Sequence, residues 1–238
     1  MEISNEHRPF VIAIDGPAGS GKTTTAMSVA RELGFIYVDT GAMYRAVALF
    51  AIQRGVPVSD KDAICALLPG LDIRLERVDG EQHTLLNGEN VEEHIRTQEM
   101  SKAASDISAI ACVREAMVDL QRNAARGAEG AVLEGRDIGT VVFPDSPCKI
   151  FLVADADTRA HRRTKQLQEK GISSDFETIR REIEERDRND AAREHSPLRK
   201  AKDAIEVETT NTTIDEQVSM ILTLVKKRIG QFQKGIPE

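Results

Sequence analysis

The chain has only three cysteines, no apolar run of bilayer length and no surplus of positive charge, and each shortage excludes a class of protein. Cys65, Cys112 and Cys148 are odd in number and far apart, with no C-x-x-C pair and no histidine at ligand spacing. They read as three reduced, small apolar residues, as expected in a reducing compartment. His161 and His195 stand apart from cysteine and from other histidines, which argues against metal ligation. No window of about 18 apolar residues occurs, and the start MEISNEHRPF lacks a basic stretch followed by an apolar one. A cytoplasmic protein is expected, neither secreted nor inserted in a membrane. With 32 Lys and Arg against 39 Asp and Glu, a net charge of −7, no chain-wide basic surface is available for nucleic acid or anionic lipid. A local basic site remains open.

What is present is ordinary for a globular chain: 238 residues, 40% hydrophobic and 30% charged, enough for one large domain or a domain with inserted subdomains. The basic residues divide unevenly, 21 Arg to 11 Lys. Arg offers a planar fork to phosphate and carboxylate, so the imbalance hints at an anionic substrate, although Arg-rich helices also occur as plain solvated faces.

Five short apolar runs read as buried strands: Phe10 to Ile14, Phe35 to Val38, Ala131 to Leu133, Lys149 to Val153 and Ala204 to Val207. They are near-continuous instead of alternating, as expected when helices cover both faces of a parallel sheet. Between them lie stretches of helical period: Lys22 to Leu33 ending at Gly34, Ala42 to Gln53 ending near Gly55, Thr97 to Arg126 ending at Gly127, and Ile214 to Ile229 closing before Gly230. This alternation predicts an α/β core, a parallel five-stranded sheet flanked by helices. Two stretches interrupt it. Leu71 to Val91 alternates around Asp79-Gly80 and Asn87-Gly88, which suggests antiparallel hairpins in a small insert. Thr158 to Arg193 is polar, Arg-rich and helical, broken at Gly171, with Ser174 and Glu177 spaced as a capping box; such a helical pair with few core residues is a candidate lid.

Gly16, Pro17, Ala18, Gly19, Ser20, Gly21, Lys22 and Thr23 match G-x-x-x-x-G-K-[ST], followed by Thr24, between the strand VIAID and a helix. Such a loop turns its amides onto phosphate oxygens, and the helix N-terminus adds about half a positive charge. Lys22, solvated until phosphate arrives, then reaches the β and γ phosphates of ATP, and the Thr23 hydroxyl is placed for Mg²⁺. No Asn is followed by Lys, so the N-K-x-D motif of a GTPase is missing, and the two small insertions favour a small-molecule kinase over a motor.

Asp39 to Arg45, DTGAMYR, leaves the second strand at the carboxyl edge of the sheet, where α/β proteins bind ligands. Thr40 can cap the helix that follows; the plain alternative is a routine cap with Arg45 in solvent. Glu134-Gly135-Arg136-Asp137 leaves the third run in the same way, and Glu134 either orients Mg²⁺-bound water or caps the neighbouring loop. Arg186, Asp190 and Arg193 share one helix face, as either a phosphate-binding lid edge or a solvated salt-bridge ladder. Asp39 is the only tempting general base should the acceptor be a hydroxyl. A binding or regulatory module would keep the phosphate loop but need no Arg-Asp acceptor group.

GPAGSGKTT, YVDTGAMYR, IRTQEMSKAAS, EGRDIGTVVFPD, KIFLVADADTRAHRR, and RDRND with SPL together resemble the bacterial cytidylate kinases, from about Val11 to the last helix. The resemblance implies a single P-loop kinase domain over residues 1–238, with the P-loop strand central. It also implies a nucleoside monophosphate-binding insert, much of it covered by residues 64–105, and a lid over 158–196. It further implies phosphorylation of CMP, and of dCMP, by ATP with Mg²⁺; a monomer is expected, and the acidic charge balance and lack of long apolar runs point to no nucleic-acid or membrane partner. Thr40, Tyr44, Arg45 and Arg136 are then implied at the acceptor phosphate, and Ser105, Arg114 and Asp137 at the cytosine ring. Cytosine offers a donor at N4 and acceptors at O2 and N3, which suit Asp or Ser and Arg respectively, and uracil reverses the pattern at N3 and C4. Arg186, Asp190 and Arg193 correspond to lid residues near the ribose and phosphates. Lys22, Arg45, Arg136, Arg186 and Arg193 would carry catalysis as positioned charge. Ala191 departs from the Ser usual after the lid Asp, which removes a secondary hydrogen bond.

Overall fold

A computed structural model describes residues 9–78 and 81–233 of the chain. The elements run β1 (Phe10–Asp15), α1 (Lys22–Leu33), β2 (Ile36–Asp39), α2 (Thr40–Gln53), α3 (Lys61–Leu67), β3 (Ile73–Val78), β4 (Glu81–Leu86) and β5 (Glu89–Asn90). They continue with α4 (Glu92–Ile95), α5 (Gln98–Ile107), α6 (Ala111–Ala125), β6 (Gly130–Gly135), β7 (Cys148–Val153), α7 (Ala156–Glu169), α8 (Phe176–Ala192), β8 (Ile205–Glu208) and α9 (Ile214–Gln233). The chain forms two compact units, one built from the residues up to Tyr37 and from Gly127 onward, the other from Val38–Arg126.

The first unit holds the main sheet, ordered β2-β6-β1-β7-β8, so the strand that feeds the phosphate loop is central as expected. β1 pairs in parallel with β6 from Phe10 opposite Gly130 to Asp15 opposite Gly135, and with β7 from Ile12 opposite Cys148 to Asp15 opposite Phe151. Every β1 residue is buried, which is why the run is continuously apolar until its last position. Ile12, Ile14, Val132, Ile150, Leu152 and Val207 of the sheet pack with Ala26, Val29 and Ala30 of α1 and Ile221 and Val225 of α9. Each such aliphatic side chain contributes about 1.5–3 kcal/mol by leaving water. α7 and α8 are held together by a small core of Ala160, Leu167, Ile179 and Ile183, with Phe176 against it and His161 stacked on that ring.

The second unit contains a three-stranded antiparallel sheet, β3-β4-β5. Asn87 and Gly88, both at positive φ, make the tight turn between β4 and β5; the expected turn at Asp79-Gly80 lies outside the described residues.

Several expectations are corrected. Thr97 to Arg126 is two helices, because the Ser108 hydroxyl turns back onto the Ser105 carbonyl and Ile110 takes an extended conformation before α6. Helix α9 runs through Gly230 to Gln233. The cap of α8 is Asp175, whose carboxylate accepts the Thr178 amide, and not Ser174. Likewise Asp39, not Thr40, caps α2 by accepting the Ala42 amide. Cys65 of α3 and Cys112 of α6 form a disulfide, against the expectation of three reduced thiols; Cys148 alone behaves as read, buried in the core. Among the described residues no helix is long and apolar enough to cross a membrane.

Candidate active site

The phosphate loop spans the turn from β1 into α1. At Gly16, with φ of +150°, a Cβ would run into the Leu152 carbonyl of β7, so only glycine lets the loop leave the sheet here. Ser20 donates to the Pro17 carbonyl at 3.0 Å and closes the loop. Lys22 also folds inward, its Nζ 2.5 Å from that carbonyl and 3.3 Å from Ser20 Oγ. The expected solvated lysine is therefore buried. Burial and the nearby Arg136 push its amine well below the ordinary value, Arg186 adds to this, and Glu134 and Asp15 oppose it. A phosphate in the carbonyl's place would favour the charged amine.

Thr23 donates to Glu134 Oε2 at 2.9 Å, and Tyr37 donates to Glu134 Oε1. A hydroxyl and a carboxylate side by side are the hard oxygen donors Mg²⁺ takes, so the residues present fit that ion. Among the described residues no group of three His, Cys, Asp or Glu could hold a metal unaided. An ion that arrives with nucleotide phosphates does not need one.

At the end of β6, the Gly135-Arg136-Asp137 turn leads into a π-turn over Ile138–Val142. Arg136 donates to Asp190 Oδ2 of α8 at 2.9 Å, and Arg193 donates to Asp190 Oδ1 at 2.5 Å. Asp190 is 1% exposed, so the solvated-ladder alternative is excluded for it. Burial alone would raise its carboxyl; Arg136, Arg193 and Arg186 outweigh that and hold it below the usual carboxylate range. On the same helix Asp187 pairs with Arg159, which also donates to the Ala18 carbonyl of the phosphate loop.

In the second unit, Asp39 accepts Arg45 Nη2 at 3.1 Å and Arg96 Nη1 at 2.7 Å on Oδ2, while Oδ1 takes the Ala42 amide at 2.8 Å. Burial pushes its carboxyl up, but Arg45 and Arg96 together hold it lower than normal. An acid so held is a poor base. Arg114, buried on α6, lies over the Tyr44 ring at 5.4 Å and donates to the Ser108 carbonyl, and Ser105 sits half-buried on α5. The first unit thus gathers the loop from Gly16 to Thr24 with Arg136, Asp137, Arg186, Asp190 and Arg193. The second gathers Thr40, Tyr44, Arg45, Ser105 and Arg114. Arg96 carries no distinct signal in the sequence beyond its place in the stretch IRTQEMSKAAS; Glu134 bonds Thr23 of the phosphate loop, a contact that fits both of its readings, at Mg²⁺-bound water and as a loop cap.

The sequence profile of cytidylate kinases matches residues 12–227. The chain belongs to the cytidylate kinase family. It is 48% identical over 217 residues to the cytidylate kinase of Lactobacillus johnsonii, covering 91% of this chain and 94% of that one. To the cytidylate kinase of Enterococcus faecalis it is 45% identical, covering 91% and 96%. Among solved structures it is similar to a gluconokinase from Sinorhizobium meliloti, with a TM-score of 0.50 at 13% identity, covering 95% of this chain and 98% of that one; this likeness concerns the fold. As a member of the family this kinase is a nucleotide-binding transferase that uses ATP to phosphorylate a nucleoside monophosphate.

Proposed function

We propose that this kinase transfers the γ-phosphoryl group of ATP to the 5′-phosphate of CMP, and of dCMP, as a cytoplasmic monomer. The observation that carries the reading is the convergence of cations beside the phosphate loop. Arg136, fixed by Asp190, is close enough to Lys22 to depress its amine. Arg136 and Arg193, oriented by the one buried carboxylate of Asp190, stand as fixed positive groups, which suits a site that receives one polyanion next to another.

The chemistry needs no protein base. The attacking oxygen belongs to the acceptor phosphate, whose second pKa is about 6, so it is largely anionic at neutral pH. The task is to align two anions and neutralise them. Lys22 takes the β and γ phosphates, and the loop amides from Gly16 to Thr24 cradle the donor. Arg45 and Arg136 take the acceptor phosphate with Thr40 and Tyr44, while Arg186 and Arg193 close over the transferred group from α8. Ser105, Arg114 and Asp137 read the cytosine edge, and Asp190 the ribose. Thr23 and Glu134 would hold Mg²⁺, which would supply positive charge to the donor phosphates. Closing α7 and α8 as a lid keeps water from the phosphoryl group. A kinase for hydroxyl acceptors would need Asp39 as base, and its engagement by Arg45, Arg96 and the Ala42 amide works against that.

An ADP-release assay across CMP, dCMP, UMP, AMP, GMP and small polyols tests the reading. CMP and dCMP are expected to give the highest kcat/KM, and Lys22→Ala to lower turnover by at least about a hundredfold with an unchanged fold. A polyol or purine nucleotide turned over fastest would reject the proposal, and normal turnover in Lys22→Ala would reject the ATP site. Light scattering checks the monomer.

A further inference from the structure

β1 is apolar at every position from Phe10 to Ala13 and Ile14, and then ends on a carboxylate, Asp15, that is 4% exposed. That carboxylate divides its two oxygens between backbone amides of a distant segment: Oδ1 accepts Ile138 N–H at 2.9 Å and Oδ2 accepts Gly139 N–H at 2.8 Å. These amides open the π-turn whose carbonyl anchor is Asp137, which accepts the Val141 amide at 2.8 Å. Asp15 directly precedes Gly16 of the phosphate loop, and Ile138 directly follows Arg136-Asp137. One side chain therefore ties the first residue of the loop to the turn that carries Arg136 and Asp137, two of the residues assigned to the acceptor. At Gly139 a Cβ would come within 3.4 Å of Asp15 Oδ2 and 3.2 Å of the Lys149 methylenes, so the turn is packed closely onto the carboxylate.

We infer that Asp15 is a positioning residue, which sets Arg136 and Asp137 relative to the phosphate loop and through them the selection of the acceptor base. The inference rests on the roles proposed above for Arg136 and Asp137. A purely structural strand end would be filled more cheaply by another aliphatic residue, since burial pushes the Asp15 carboxyl up to about 6 despite the two amides, with Asp137 adding to the rise and Lys22 opposing it. The cost is accepted where two separate acceptor atoms are required, because no neutral side chain of this size presents one acceptor oxygen to each of two N–H groups.

Asp15→Asn keeps the shape but offers one acceptor, and its amide nitrogen meets the other N–H. KM for CMP is expected to rise about tenfold with KM for ATP within about twofold, and the CMP to UMP ratio of kcat/KM to fall about fivefold. Asp137→Asn is measured beside it as the reference for base reading. If Asp137→Asn lowers the ratio and Asp15→Asn does not, the positioning role is wrong while the reading of Asp137 stands. If Asp137→Asn leaves the ratio unchanged, that reading falls and this inference with it. Ser146→Ala is the control for general loosening, since Ser146 bonds the Val11 carbonyl of the same strand and has no bond to the turn amides; a ratio lowered equally there would overturn the inference. Should Asp15→Asn fail to fold, Gly139→Ala disturbs the same contact from the turn side. A CMP-selective rise in KM then supports the role, and equal or absent effects on CMP and ATP refute it.

Discussion

A carboxylate that water cannot reach must be held by something, and Asp15, Asp39 and Asp190 are held differently. Arginines hold Asp39 and Asp190 below the ordinary range, so both contribute stability that is present above the unfolded value of 3.8 and lost as pH falls. Asp15 has the opposite sign. Its folded value of about 6 lies above 3.8, so its ionisation removes stability as pH rises between those two values. The total is roughly 3 kcal/mol, of which about half falls between about pH 5 and 7.5. Urea unfolding of wild type and Asp15→Asn over that interval should show the Asn variant gaining by that amount as pH rises, with Asp39 and Asp190 cancelling in the difference. A pH-independent difference would reject the buried charge. None of this was legible in the sequence, where Asp15 is simply the last letter of VIAID, because its partners lie 123 and 124 positions away. Lys22 illustrates the same limit: its identity and spacing assign its ligand, but not its resting place against the Pro17 carbonyl.

Strand runs of near-continuous apolar residues are the most legible elements, and all five lie within two residues of their observed ends; β1 and β6 are buried at every position, which leaves little room for polar residues, while β2 and β8 are partly exposed. Helix ends were less so. Thr97 to Arg126 keeps one helical period across the break at Ser108–Ile110, so periodicity alone cannot see it. Gly230 costs a helix only about 1 kcal/mol, too little to stop α9. On α8 the spacing of Arg186, Asp190 and Arg193 was visible, but the partner that fixes Asp190 is Arg136, on another element. That partner sharpens a test. Asp190→Ala should lower kcat/KM for both CMP and dCMP, and about fivefold further for CMP if the carboxylate also meets the 2′-hydroxyl. It should also destabilise the chain by about 2 to 4 kcal/mol, less than for a fully buried pair because Arg136 retains some exposure. A solvated pair would change stability by under about 1 kcal/mol, with both substrates untouched. Kinetics on the two substrates, read beside urea unfolding, separates these outcomes.

Taken as a whole, the molecule has one covalent constraint that counting cysteines could not foresee, since pairing depends on how α3 and α6 pack and not on spacing. The Cys65–Cys112 link closes a loop across 47 positions, all within the second unit. By chain entropy it should stabilise that unit by up to about 4 kcal/mol. Calorimetry with and without reductant should show a matching fall, and Cys65→Ser with Cys112→Ser should sit at the reduced value and ignore reductant; a melting curve indifferent to reductant would refute the constraint. The order of the units along the chain has a different consequence, one for synthesis. Val38–Arg126 is contiguous and can collapse as soon as it leaves the ribosome. β1 cannot: both its ladder partners, β6 and β7, lie beyond Gly127, so the strand that carries the phosphate loop is made first and completed late. During that wait its unbroken apolar run is the segment most in need of shelter from other nascent chains.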